Sequence, residues 1–226
     1  MSELATSLLA RFDAGFSASR DPSRATAMAA YMRDQFPYFG LPAPALRSLF
    51  RTAVAGLPAP ASHDLREFAL ACWERPEREF QYVACDYLRR HVAVAGPSFL
   101  PVVRRLVTTK SWWDTIDPLA TRFVGDLVRL YPDLSGEMDK WSADENMWVV
   151  RTAILHQLNY GTATDPTRLF AYCTRQAGHP DFFVRKAIGW ALRHYARTDP
   201  SAVREYVTTH SDVLSPLSVR EASKHL

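Results

Sequence analysis

Trp148-Val-Val-Arg151-Thr-Ala153-Ile154 and Phe182-Phe-Val-Arg185-Lys-Ala187-Ile188 align without a gap, 34 residues apart. An aromatic residue opens both, Arg holds the fourth position, Ala the sixth and Ile the seventh. The next copy, 35 residues on, is Leu217-Ser-Val-Arg220-Glu-Ala222. Upstream the same register passes through Trp113-Asp-Thr-Ile-Asp117-Pro118-Leu119, Glu79-Phe-Gln-Tyr-Val-Ala84-Cys85 and Pro44-Ala-Leu-Arg47-Ser-Leu-Phe50. The six starts, 44, 79, 113, 148, 182 and 217, are separated by 35, 34, 35, 34 and 35 residues. A period of this length fits a helical hairpin. One hairpin cannot bury its apolar face alone, so repeated hairpins stack and share a core.

The rest of the chain agrees with helices. Apolar residues recur at helical spacing in Leu8, Phe12 and Phe16, in Met28, Met32 and Phe36, in Leu46, Leu49 and Phe50, and in Phe68, Cys72 and Trp73. No run of alternating β-branched residues marks a strand. Asp21-Pro22, Arg75-Pro76, Asp117-Pro118 and Asp199-Pro200 place Pro where a helix can open, three of them with Asp at the N-cap. Only 9 of 226 residues are Gly, too few for the turns of a strand-rich fold. The expected fold is all-α: a right-handed α-α superhelix of about six HEAT-like helical hairpin repeats, forming one domain over residues 1–226. The small sixth position should face a neighbouring helix, and Gly189 should let another backbone approach closely.

Composition narrows the function less than the repeats do. Net charge is only +3, but of 27 basic residues 23 are Arg and 4 are Lys. Arg suits phosphate because its planar fork donates two hydrogen bonds at once; coding bias would give the same excess. No segment approaches a membrane span, and Met1 to Arg20 lacks the basic start and unbroken apolar core of a secretory signal. Cys72, Cys85 and Cys173 are odd in number and form no CxxC, so buried thiols in a reducing cytoplasm are expected. The seven His residues show no zinc spacing. No metal and no other cofactor is expected.

Two features stand out chemically. Arg fills the fourth repeat position in Arg47, Arg151, Arg185 and Arg220, either as a phosphate-tracking stripe or as structural bridges between repeats. Lys110-Ser-Trp112-Trp113-Asp114-Thr-Ile-Asp117-Pro118 breaks the repeat pattern. Adjacent Trp residues diverge by about 100° on a helix, so both cannot face the core. Asp117 lies one turn after Trp113, where it can serve as a cap or as a functional carboxylate.

These residues carry a resemblance. Thr109-Lys110-Ser-Trp112-Trp113-Asp114-x-x-Asp117, then Trp148-Val-Val-Arg151-x-Ala153-Ile-Leu, then Arg185-Lys-Ala-Ile-Gly-Trp190-x-Leu-Arg-x-Tyr195 resemble the AlkD-type DNA alkylation-repair glycosylases, as do Arg75 to Gln81, Tyr31-Met32 and Phe39-Gly40. The resemblance spans nearly the whole chain. It implies hydrolysis of the N-glycosidic bond of purines alkylated at N3 or N7, such as 3-methyladenine and 7-methylguanine, in duplex DNA and without base flipping. It implies Asp117, Trp113 and Trp190 as catalytic residues, with Asp117 stabilising an oxocarbenium ion and positioning water. Arg151, Arg47, Arg185, Arg220, Lys110 and Tyr31 would contact DNA, Arg151 through a phosphate. The expected protein is a bacterial, cytoplasmic monomer acting without cofactor. Pro42 stands where the family can carry a polar groove residue. Two other readings remain: a non-catalytic DNA-binding relative, and a HEAT-like protein-interaction scaffold. Convergence of Trp113, Asp117, Arg151 and Trp190 on one cleft would favour the enzyme.

Overall fold

The computed structural model describes residues 1–226, the side chain of residue 225 apart. Every regular element among the described residues is helical, and no strand is present. The chain divides into two compact units, Met1–Val102 and Val103–Leu226.

The first unit is built from α1 (Glu3–Ala18), α2 (Pro22–Tyr31), α3 (Ala43–Val54), α4 (Ser62–Glu74) and α5 (Arg78–Arg90). Ser2 caps α1 and Asp21 caps α2, each accepting from a backbone N–H of the first turn. The helical spacing of aromatic residues produces a ring cluster. Phe12 meets Phe16, Phe50 and Phe68 at centroid distances of 5.6, 5.9 and 5.8 Å, and Phe16 meets Phe80 edge-on at 5.1 Å. The connection from α2 to α3 needs more than apolar contacts. Gly40 lies at φ +92°, and a Cβ there would sit 2.2 Å from the Asp21 carbonyl oxygen. Glu79, wholly buried at the start of α5, accepts from the Phe39, Gly40 and Leu41 amides at 3.1, 2.9 and 3.1 Å. Its neighbour Arg78, also wholly buried, stacks its guanidinium 3.8 Å from the centre of the Phe36 ring. A repeat start is thereby converted into a clamp on the loop.

The boundary between the units falls inside α6 (Leu100–Thr108). The second unit continues with α7 (Trp113–Pro118), α8 (Gly125–Leu130), α9 (Ser135–Trp141), α10 (Met147–Leu155), α11 (Pro166–Arg175), α12 (Phe182–Tyr195), α13 (Pro200–Thr209) and α14 (Pro216–Ala222). Each of the six expected repeat starts is the first or second residue of a helix: Pro44 in α3, Glu79 in α5, Trp113 in α7, Trp148 in α10, Phe182 in α12 and Leu217 in α14. The sixth-position residues Ala84, Ala153, Ala187 and Ala222 are all wholly buried.

Gly189 does what its position in the sequence implied. A Cβ there would lie 2.5 Å from the Glu221 Cβ and 2.8 Å from the Ser218 carbonyl oxygen, so α14 packs directly on the α12 backbone. Gly189→Ala should cost about 2–3 kcal/mol, because the obstacle includes main chain that cannot rotate away. Urea unfolding reads this, and an unchanged midpoint would mean that the two helices do not stay so close in solution.

His156, just beyond α10, is buried among Tyr160 and Tyr172, with Nδ1 2.6 Å from the Ala153 carbonyl oxygen. Burial pushes its pKa down to about 4. Below pH 6.5 the unfolded chain takes up a proton that the folded chain refuses until about pH 4, so stability falls as pH drops through that window. The loss between pH 7 and pH 4.5 should be about 2–3 kcal/mol from this group. His156→Gln should lack that part of the acid loss in urea titrations at the two pH values; equal losses would assign the acid sensitivity elsewhere.

Candidate active site

Asp117 does not cap a helix, and here the structure corrects the sequence reading. It is the second-last residue of α7, and the chain stays helical through Pro118. Pro118 has no N–H to donate to the carbonyl one turn back. The backbone then widens into a π-helical stretch, Leu119–Val124, before α8 resumes the ordinary pitch. Such widened turns are frequent at functional sites. The Asp117 carboxylate is left free of capping duty, and it faces α10.

There it meets Arg151. The guanidinium Nε donates to Oδ1 at 2.8 Å and Nη2 donates to Oδ2 at 2.9 Å, a two-pronged ion pair. Nη1 donates to the main-chain carbonyl of Phe183, at the start of α12. One side chain thus ties three helices together, consistent with α10 packing against both α7 and α12. The Arg151 side chain is 4% exposed and that of Asp117 15%, so the pair can be approached only from the carboxylate side. Burial raises the Asp117 pKa, Arg151 opposes the shift by hydrogen bonding and charge, and the Asp114 carboxylate adds to the rise.

An aromatic cluster lies beside Arg151. Trp112, Trp148 and Phe183 form a triangle with centroid distances of 6.0, 5.1 and 5.1 Å, and the Arg151 guanidinium carbon lies 6.0 Å from the Phe183 centroid. Trp113, half-buried, is one turn before Asp117 on the same helix. Trp190, also half-buried, follows Phe183 by two turns on the same face of α12. The two adjacent Trp residues therefore divide as their 100° divergence requires: Trp112 joins the Trp148 and Phe183 rings, and Trp113 shares a face with Asp117.

The expected DNA contacts have different surroundings. Arg151, expected to hold a phosphate, instead turns inward onto Asp117. Arg185 is half-buried, with its Nε enclosed and lacking a hydrogen-bond partner, while Arg220 is exposed on α14. Lys110 stands in the turn before α7 at φ +50°. Arg47 and Tyr31 belong to the first unit, where both are exposed. Tyr31 borders an apolar hollow with Met28, Met32, Tyr38 and Tyr82. Reading the sequence missed Phe183, whose contribution is a main-chain carbonyl that no residue type announces. It also missed Trp148, whose ring packs on Trp112 and Phe183. Cys72, Cys85 and Cys173 are buried free thiols. Among the described residues no group of His, Cys, Asp or Glu could hold a metal ion, and no helix is long and apolar enough to cross a membrane.

The sequence model of the DNA alkylation repair enzyme family matches residues 12–226. The chain belongs to this family. A solved structure described as a predicted DNA alkylation repair enzyme from Enterococcus faecalis is 32% identical, with 92% of this chain and 97% of that one covered and a TM-score of 0.84. More distant likenesses, which show the helical repeat fold alone, are smu.31 and AlkD2 from Streptococcus mutans. They are 16% and 15% identical, each with a TM-score of 0.64, covering 80% of this chain and 92% and 90% of theirs. No curated protein gives a significant match. The family match crosses the boundary between the two units, and the Asp117, Arg151 and Trp190 segments all lie inside it.

Proposed function

We propose that this protein is a DNA glycosylase that hydrolyses the N-glycosidic bond of cationic N3- or N7-alkylated purines in duplex DNA. The observation that carries the reading is the Asp117 carboxylate, held by both prongs of Arg151 and open only on its outer side. An alkylated purine already bears positive charge and leaves without strong general-acid help. As the bond breaks, positive charge moves to the deoxyribose as an oxocarbenium ion. A preoriented carboxylate stabilises that charge without rearranging. A carboxylate has about four acceptor positions, so two remain after Arg151 for an incoming water and the sugar.

Arg151 is a positioning residue in this scheme. Its fork fixes the plane of the carboxylate, and its charge favours the ionised form against burial. Trp113 and Trp190 offer π-faces to the developing cation. In this scheme the lesion is attacked from the backbone side with its base left in the duplex, as the resemblance implies. Water is the nucleophile, so the products are the free base and an intact strand with an abasic site. The unbroken family match supports the two units working as one domain, and no cofactor enters the scheme.

The test is release of 3-methyladenine and 7-methylguanine from methylated duplex by the wild-type protein and by Asp117→Asn. Duplex binding without base release by the wild type would move the protein to the non-catalytic DNA-binding reading. Absence of both would leave the interaction scaffold.

A further inference from the structure

The second unit holds a hollow that the chemistry at Asp117 does not use. It lies between the end of α8, the start of α9 and the connection from α10 to α11, and it encloses about 350 Å³, a size that suits a small molecule. His156 borders it from the inside. This residue is 1% exposed, and its Nδ1 donates to the Ala153 carbonyl oxygen on its own helix. With that N–H engaged, and burial keeping the ring neutral at pH 7, Nε2 is a bare acceptor. Among the described residues nothing donates to it. A buried acceptor left unmet is unfavourable, and a ligand that brings a donor relieves it.

Most other polar groups of the lining are already engaged. Gln157 accepts from the Asp165 N–H at 2.7 Å and donates to the Asp165 carbonyl oxygen at 3.3 Å. Tyr160 donates its hydroxyl to the Gly125 carbonyl oxygen at 2.7 Å, which leaves its ring for the hollow. Arg168 is held by Asp165 at 2.7 Å and by Asp139 at 3.2 Å. Arg129 differs. It is exposed and makes no ion pair among the described residues, and its guanidinium carbon lies 5.5 Å from the centre of the Tyr160 ring. The His156 ring adjoins the same Tyr160 ring at a centroid distance of 5.9 Å. An unpaired cation and an unmet buried acceptor thus flank one aromatic ring, with Val128 and Pro132 as apolar wall.

We propose that this hollow binds a small oxyanion that carries its own O–H, with its charged oxygens on Arg129 and its hydroxyl donating to Nε2 of His156. A guanidinium fork takes a carboxylate or a phosphate alike. The hydroxyl is what selects. A ligand without one strands Nε2, and sites with a buried polar group reject analogues that lack its partner. The Tyr160 ring gives the carbon chain of the ligand a flat apolar surface. This is a small-molecule function, and it stands whether or not the protein releases bases.

The experiment titrates the protein calorimetrically with two matched pairs of probes, in a buffer without other oxyanions. Gluconate and hexanoate share charge and chain length, and only gluconate has hydroxyls. Glycerol phosphate and propyl phosphate differ in the same way. In at least one pair the hydroxylated member should bind about tenfold or more tightly, the worth of one well-made hydrogen bond. The pair that shows the preference identifies the oxyanion as carboxylate or phosphate. Arg129→Gln should weaken that member by about tenfold or more. His156→Phe should weaken it to the level of its hydroxyl-free counterpart. If that variant does not fold, judged by circular dichroism, the nitrogen resonance of His156 Nε2 in the wild type should shift with the hydroxylated member and not with the other. Equal affinities within both pairs would overturn the proposal, as would an unchanged affinity in folded Arg129→Gln. So would the absence of saturable binding by either hydroxylated probe up to about 10 mM. Displacement of the bound probe by undamaged duplex would also overturn it, by making Arg129 part of a DNA-binding face.

Discussion

Replacing Asp117 by Asn should slow base release from methylated duplex by about 10²–10³-fold, the loss typical when one preorganised charge-stabilising group is removed. The substitution keeps the shape and removes the charge that would face the oxocarbenium ion. It also disturbs the neighbour. Arg151 donates to both carboxylate oxygens, whereas Asn offers one acceptor and one donor, so one prong of the fork would face an N–H₂ group. A guanidinium that is almost wholly enclosed then lacks its counter-charge, and such uncompensated buried charges cost about 3–5 kcal/mol. The assay must therefore be run under single-turnover conditions at a temperature where the variant is folded. Duplex affinity should be equal or slightly tighter, because a negative charge near DNA has been removed. A folded Asp117→Asn protein that releases base at the wild-type rate would take Asp117 out of the chemistry, whatever its geometry.

Glu79→Ala should destabilise the first unit by about 3–5 kcal/mol, a fall in midpoint of about 10 °C. Glu79 does not take part in the proposed reaction; its effect is architectural. Its two oxygens accept from three successive amides, Phe39 to Leu41, in a place closed to solvent. Hydrogen bonds to an ionised acceptor are about twice as strong as neutral ones, and stranded buried amides recover little elsewhere. Gly40 adds to the sensitivity, since its left-handed backbone sits against the Asp21 carbonyl and has no room to adjust. Calorimetry reads the stability, and amide hydrogen exchange at Phe39, Gly40 and Leu41 locates the loss. Unaltered exchange at these amides would show that the loop is held by its aromatic packing instead. Glu79→Gln should fall between the two, since it keeps an acceptor and loses the charge.

The contrast between Glu79 and Asp117 shows what could be read without coordinates. Both occupy repeat segments, and repetition correctly placed both at helices. Glu79 took a position that elsewhere holds Trp, Phe, Leu or Pro, and that mismatch was the available signal of a special role. Asp117-Pro118 pointed the other way. The same dipeptide caps α2 as Asp21-Pro22 and α13 as Asp199-Pro200, so local chemistry favoured a cap. The difference lies upstream: Trp113 to Ile116 are already helical at Asp117, and a proline there perturbs the helix without ending it.

The fourth-position Arg residues mark the limit more sharply. Their recurrence left open a stripe facing phosphate or bridges between repeats, and the four positions differ: Arg151 is enclosed against a carboxylate, Arg185 is half-buried, and Arg47 and Arg220 are exposed. The sequence by itself determined the helices, their period, the small residues where neighbours touch, and the close approach at Gly189. These depend on periodicity, steric size and capping, which are written in residue type and short-range spacing. Only the tertiary structure decided that Arg151 pairs with Asp117, that Phe183 contributes a carbonyl, and that Glu79 clamps a loop 38 to 40 residues upstream. A charged side chain takes its role from whichever group packing brings within about 3 Å. In this fold that group belongs to a different helix or loop, more than 30 residues away in each case.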